Sequence, residues 1–257
     1  MIRRLRDHVA EHNWFAVVID LAIVVSGVFL GIQFTNWNQA RVDRDKASYY
    51  RERLISELVF NGRQFRQQIA YYGSARRHGV AALAVLRKPG EKPDEKFLVD
   101  AYQATQIDPT PPKRFIFGEL VSAGLVGLLG PETLQEMTSD YYLSLDSNAP
   151  QMADMPPYRD ILRRTMPYEV QEQIRERCGD QFVYRGKQAI GSMLPEHCDL
   201  FLTSADVAGS VQKIRAVPEL GADLTRYLSS LDQKLSALEG TAQQTDDLVA
   251  ALNAEGR

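Results

Sequence analysis

From Trp14 to Phe34 the chain reads WFAVVIDLAIVVSGVFLGIQF. This run is almost wholly apolar and about as long as the roughly 20 residues an α-helix needs to cross the hydrocarbon core of a bilayer. The two tryptophans of the chain, Trp14 and Trp37, flank it where amphipathic rings favour the membrane–water boundary. The run is therefore read as a single transmembrane helix over 14–36. Ahead of it lies a short cytoplasmic segment, 1–13, and behind it a helical extracytoplasmic domain, 37–257. The expected fold is mainly α: one N-terminal transmembrane helix followed by a helical-bundle extramembrane domain.

Orientation rests on charge. Arg3, Arg4 and Arg6 precede the span and favour a cytoplasmic N-terminus, but Arg41, Arg44 and Lys46 follow it and nearly balance them. A cytoplasmic N-terminus is preferred because the domain then lies in a periplasm, where Cys178 and Cys198 can be oxidised to a disulfide; two separate thiols are the alternative. A cleaved signal peptide is the rival to an anchor. The apolar run exceeds the 7–15 residues of a typical signal core, and IQFTNWNQAR shows no small-x-small cleavage site.

Inside the span, Ala16, Asp20, Val24, Gly27, Gly31 and Asn38 fall on one helical face. Gly27 and Gly31 form a GxxxG, a spacing that lets helix backbones approach closely. A carboxylate in hydrocarbon costs on the order of 2.5–3.5 kcal/mol, so Asp20 requires a partner, water or a proton. It either contacts another membrane subunit or serves an ion-linked site, or it lies shallow enough to reach the cytoplasmic headgroups and sets register.

The block Asp20, Gly27, Gln33, Asn36-Trp37-Asn38, followed by Tyr49-Tyr50-x-x-Arg53-Leu54, resembles the N-terminal signature of a widespread family of uncharacterised bacterial single-pass membrane proteins, a domain of unknown function. Thr35 stands where that family usually has Asn, and Asp20 where Glu is common. A second patch, Phe117-Gly118-Glu119-Leu120 with Ser122, Gly124, Leu128-Leu129, Leu134 and Tyr141-Tyr142, resembles the family's middle region. The resemblance covers roughly the first 145 residues. It implies a helical, membrane-anchored protein of a bacterial inner membrane and brings no catalytic residues with it.

Past the anchor, Tyr50, Leu54, Leu58, Phe65, Ile69, Tyr72, Leu83 and Leu86 recur at three- and four-residue spacing and predict a long helix over 39–87. No Pro or Gly separates Gln33 from Gly62, so it can continue the transmembrane helix directly. KPGEKP, 88–93, ends it. Middle helices are expected over 94–177: one capped by Asp94, short turns at 115–122, one over 133–145, and one over 158–177 that Pro167 restarts or kinks. DPTPP and SNAPQMADMPP read as proline-rich loops. The Cys178–Cys198 stretch is irregular, with Phe182-Val183-Tyr184 a strand candidate lacking an evident partner. A short helix over 205–215 follows. The C-terminal helix, 218–253, carries Leu224, Leu228, Leu231, Leu235, Leu238, Ala242, Thr245, Val249 and Leu252 in a heptad seam, which suits a coiled coil or one more bundle helix.

Nothing points to catalysis. The net charge of −3 gives no field for nucleic acid. His8 and His12 stand one turn apart without a third ligand, and His78 is isolated. Glu196-His197-Cys198-Asp199 contains the parts of a thiol enzyme, but adjacent side chains rarely converge. No phosphate loop, dinucleotide motif, HExxH or GxSxG occurs. The expected role is a scaffold or interaction module that is not an enzyme and holds no cofactor or metal. Its expected partners are the lipid bilayer and a second copy or another membrane protein. The alternatives are an accessory subunit of a proton-driven complex using Asp20, or a partner-dependent sensor.

Overall fold

The computed structural model describes residues 14–88 and 94–256. The expected cytoplasmic segment, with His8 and His12, and most of KPGEKP lie outside the described residues. Among those described, one helix dominates: α1, Trp14–Leu86, runs without a break from the apolar stretch into the amphipathic one. At 1.5 Å per residue it is about 110 Å long. Among the described residues the large apolar side chains of its first part, through Trp37, stand exposed, whereas Leu54, Leu58, Phe65, Tyr72 and Ala75 are buried. One element thus has an apolar end bare on all sides and an amphipathic end that is the spine of a domain.

Six further α-helices of the described residues assemble on that spine: α2 Glu95–Gln103, α3 Phe115–Ser122, α4 Glu132–Ala153, α5 Pro157–Thr165, α6 Tyr168–Cys178 and α7 Ser204–Arg215, with α8, Leu220–Glu255, completing the bundle. Asp94 caps α2 by accepting from the Phe97 N–H. Helix α3 ends at Gly124, whose φ of +67° lets the Leu125 N–H return to the Leu120 carbonyl at 2.8 Å. Of the two expectations for Pro167, the restart holds: α5 ends at Thr165 and Pro167 is the N-cap of α6.

The C-terminal seam packs antiparallel along α1 of the same chain. Gly79 faces Leu224 and Leu228, Gly62 faces Thr245, and Gly256 lies against Arg51. Arg66–Asp246, at 2.5 Å, and Arg76–Asp232 bridge the flanks.

Two local expectations are corrected. SNAPQMADMPP is not a loop until its end: α4 continues to Ala153 with Pro150 inside it. Proline removes one backbone donor, but Leu145 is buried and Met152 packs on the core, so tertiary burial carries the helix past the break. The Cys178–Cys198 stretch contains a β-hairpin. Strand β1, Gln181–Arg185, pairs antiparallel with β2, Gln188–Met193, around Gly186 at φ +64°. Its partner strand was hidden because QAIGSM has no alternation and carries a glycine. That glycine, Gly191, lies opposite the bulge at Val183/Tyr184, and a Cβ there would fall 1.6 Å from Gln67 Cδ of α1. The absence of a side chain is what lets the hairpin dock.

Candidate functional site

The bare segment of α1 carries five of the residues singled out from sequence. Trp14 and Trp37 stand about 35 Å apart along the axis, slightly more than the roughly 30 Å of a hydrocarbon core. They are 71% and 59% exposed, as are large side chains all along the interval, including Phe15, Leu21, Ile23, Phe29 and Leu30. This segment is long and apolar enough to cross a membrane. Asp20 is exposed about two turns from Trp14 and makes no hydrogen bond or ion pair among the described residues. A Cβ placed on Gly27 or Gly31 would meet nothing within 4 Å, so the GxxxG face is open. Thr35, a polar group in the same run, donates to the Gly31 carbonyl at 3.0 Å and needs no external acceptor.

The other two, Cys178 and Cys198, are joined: S–S is 1.96 Å and the bridge spans 20 residues. Cys198 is thereby consumed, and Glu196 pairs with Arg77 at 3.0 Å, so Glu196-His197-Cys198-Asp199 holds no free thiol nucleophile. The Cys178 carbonyl accepts from Gln103 Nε2 at 2.5 Å, which ties the bridge to α2.

Three polar sets escaped the sequence reading. Along α1, Glu57, Asn61, Gln64, Gln68 and Tyr72 form a row that grips the segment 108–116. Asn61 exchanges two 2.8 Å hydrogen bonds with the Lys113 backbone. Gln64 and Gln68 donate to the Thr110 carbonyl, and the Tyr72 hydroxyl bonds both backbone groups of Asp108. Glu57 accepts from the Ile116 N–H at 3.0 Å and the Tyr142 hydroxyl at 2.7 Å. Pro109, Pro111 and Pro112 deny this segment a backbone ladder of its own, so side-chain amides take the role. The signal was available in the spacing of these polar residues, which share one helical face.

His78, isolated in sequence, lies 2.7 Å from Asp100, which also accepts from Lys96 at 2.6 Å. Both His78 and Asp100 are buried, so they form a polar tie between α1 and α2. The third set surrounds Lys234, which flanks the α8 seam beside Leu235. It is buried with its Nζ donating to the Met152 carbonyl at 3.2 Å and standing 5.1 Å from the centre of the Tyr72 ring. Burial lowers its pKa below the ordinary lysine range, while Asp154 works in the opposite direction. Among the described residues no group of three or more His, Cys, Asp or Glu side chains could hold a metal ion.

Comparison with protein-family models, curated proteins and solved structures returned no match.

Proposed function

We propose that this chain is a membrane-anchored helical scaffold or protein-interaction module. The observation that carries this reading is the bare first part of α1. A cylinder dominated by exposed Phe, Val, Ile and Leu, with Asp20 and the two glycines on one face and tryptophans at both ends, is far more apolar surface than a water-exposed monomer carries, and a bilayer accounts for it. The same helix is the spine of the bundle, so the anchor and the domain are coupled by continuous backbone. In this reading the N-terminus is cytoplasmic and the domain periplasmic in a bacterial inner membrane. The Cys178–Cys198 bridge favours that orientation, because disulfides persist in oxidising compartments.

The mechanism is association within the membrane. The Gly27/Gly31 face admits a second helix at close range, and Asp20 on the same face supplies a polar contact. The unpartnered Asp20 also favours a second reading, an accessory subunit in a proton-driven complex. Crosslinking in intact membranes, followed by affinity purification of wild type and Asp20→Asn, separates the two. Recovery of the chain crosslinked to itself in both proteins supports the scaffold. A multi-span partner that is lost with Asp20→Asn moves the energy-coupled reading ahead. A chain that crosslinks to nothing in either form contradicts both.

A further inference from the structure

Three guanidinium groups meet beside the C-terminal end of α2. Arg159 and Arg163 stand one turn apart on α5 and both reach Thr105: Arg159 Nη1 donates to its carbonyl, and Arg163 Nε donates to its hydroxyl at 2.9 Å. Arg163 Nη2 donates to Gln106 Oε1 at 3.1 Å, and its guanidinium lies 4.7 Å from the centre of the Tyr102 ring. Arg175 of α6 joins them, in hydrogen-bonding contact with the Tyr102 side chain and 5.2 Å from the centre of the Tyr168 ring. Every one of these partners is neutral.

No carboxylate balances the cluster. Among the described residues none of the three arginines has a carboxylate oxygen within 4 Å, and Asp160, their neighbour on α5, faces Arg164 instead. Asp180 accepts from the Tyr71 hydroxyl; burial raises its pKa, and the group that opposes the rise is Tyr71 rather than an arginine. Arg163 is half-buried, and burial lowers its pKa, with Arg159 and Arg175 adding to the fall and Tyr102 opposing it. Helix ends do not supply the missing charge. The carbonyl end of a helix is worth about half an elementary charge, and Arg159 sits in the first turn of α5, where the dipole disfavours a cation.

We propose that Arg159, Arg163 and Arg175 together bind a phosphate group, free or as the monoester of a small molecule. Such a group carries about −1.5 to −2 charges at pH 7 and three strong acceptor oxygens, and the guanidinium fork matches its geometry. A monocarboxylate would leave two of the three cations uncompensated. Arg159 and Arg163 keep N–H donors beyond those spent on Thr105 and Gln106, while buried Tyr102 and Thr105 hold the cluster in place before any ligand arrives. Tyr71, within electrostatic reach of Arg163, lies about 50 Å along α1 from Trp37. On the membrane reading, headgroups of the bilayer crossed by 14–36 are therefore out of reach and the phosphate comes from solution; binding itself does not depend on that reading.

The test is isothermal titration of the full chain in detergent micelles, at neutral pH and fixed ionic strength, with inorganic phosphate, glycerol 3-phosphate and succinate. The expected result is a dissociation constant below about 1 mM for at least one of the two phosphates, about tenfold or more tighter than for succinate, and weakened about tenfold or more by Arg159→Gln and by Arg175→Gln. Whichever phosphate binds tighter identifies the free anion or the ester as the ligand. Arg66→Gln, which removes an arginine paired with Asp246, should bind as wild type does. Arg175→Gln changes an exposed side chain and keeps the test valid if Arg159→Gln disturbs α5. No phosphate binding below about 1 mM, succinate binding as tightly as phosphate, wild-type affinity in Arg175→Gln, or an equal loss in Arg66→Gln overturns the proposal.

Discussion

Glu57 shows how much of the domain's specificity sits in single buried polar groups. Its two oxygens hold the first turn of α3 and the Tyr142 hydroxyl, while Tyr142 stacks on Phe117 with ring centres 4.0 Å apart. Glu57→Ala leaves a buried N–H and a buried hydroxyl unsatisfied, so a stability loss of about 3 kcal/mol is expected in denaturant unfolding. Buried phenols set the alkaline limit. Burial raises Tyr72 from 10.0 to about 12, and burial likewise leads the upward shifts of Tyr71, Tyr142, Tyr158 and Tyr227. Because the folded value lies above the unfolded one, this contribution is whole below pH 10 and is lost as pH climbs through about 12. Denaturant melts between pH 9 and pH 12 should show stability falling with pH, with phenolate absorbance rising together with unfolding; a flat profile would contradict the burial of these rings.

At the scale of elements, the Cys178–Cys198 bridge closes the excursion that contains the hairpin. Replacing both cysteines by serine should cost about 2–4 kcal/mol in equilibrium unfolding, by loosening a loop of this length in the unfolded chain. Wild type under reductant should approach the same value. The elements legible in sequence were those written in periodicity or capping: the continuous α1, the Asp94 cap and the α8 seam. Those that were not legible depend on contacts between distant segments. Helix α4 continues through Pro150 because Leu145 and Met152 are held by the core. Strand β2 exists because β1 and the Gln67 side chain receive it, Gln67 donating to the Ser192 carbonyl at 3.1 Å. Lys234 is not legible for the same reason: a heptad pattern selects apolar residues and skips a cation buried among them.

For the whole molecule, the arrangement is a rod with a domain at one end. The charged residues 41–46 separate the bare apolar segment from the first buried positions of the spine, so the domain stands beyond a polar collar rather than flush with the apolar helix. The candidate residues of the anchor were legible because hydropathy marks the segment and helical spacing gathers Asp20, Gly27 and Gly31 on one face of it, whereas the polar sets of the domain required the fold to bring them together. In the proposed topology residues 14–36 anchor the chain and the domain stands outside the cytoplasm. Sealed spheroplasts treated with proteinase K, with an epitope tag fused after Arg257, decide it. The tag should be digested in sealed cells while the untreated chain sediments with membranes. A tag protected until the cells are lysed, or a chain recovered in the soluble fraction, would contradict it.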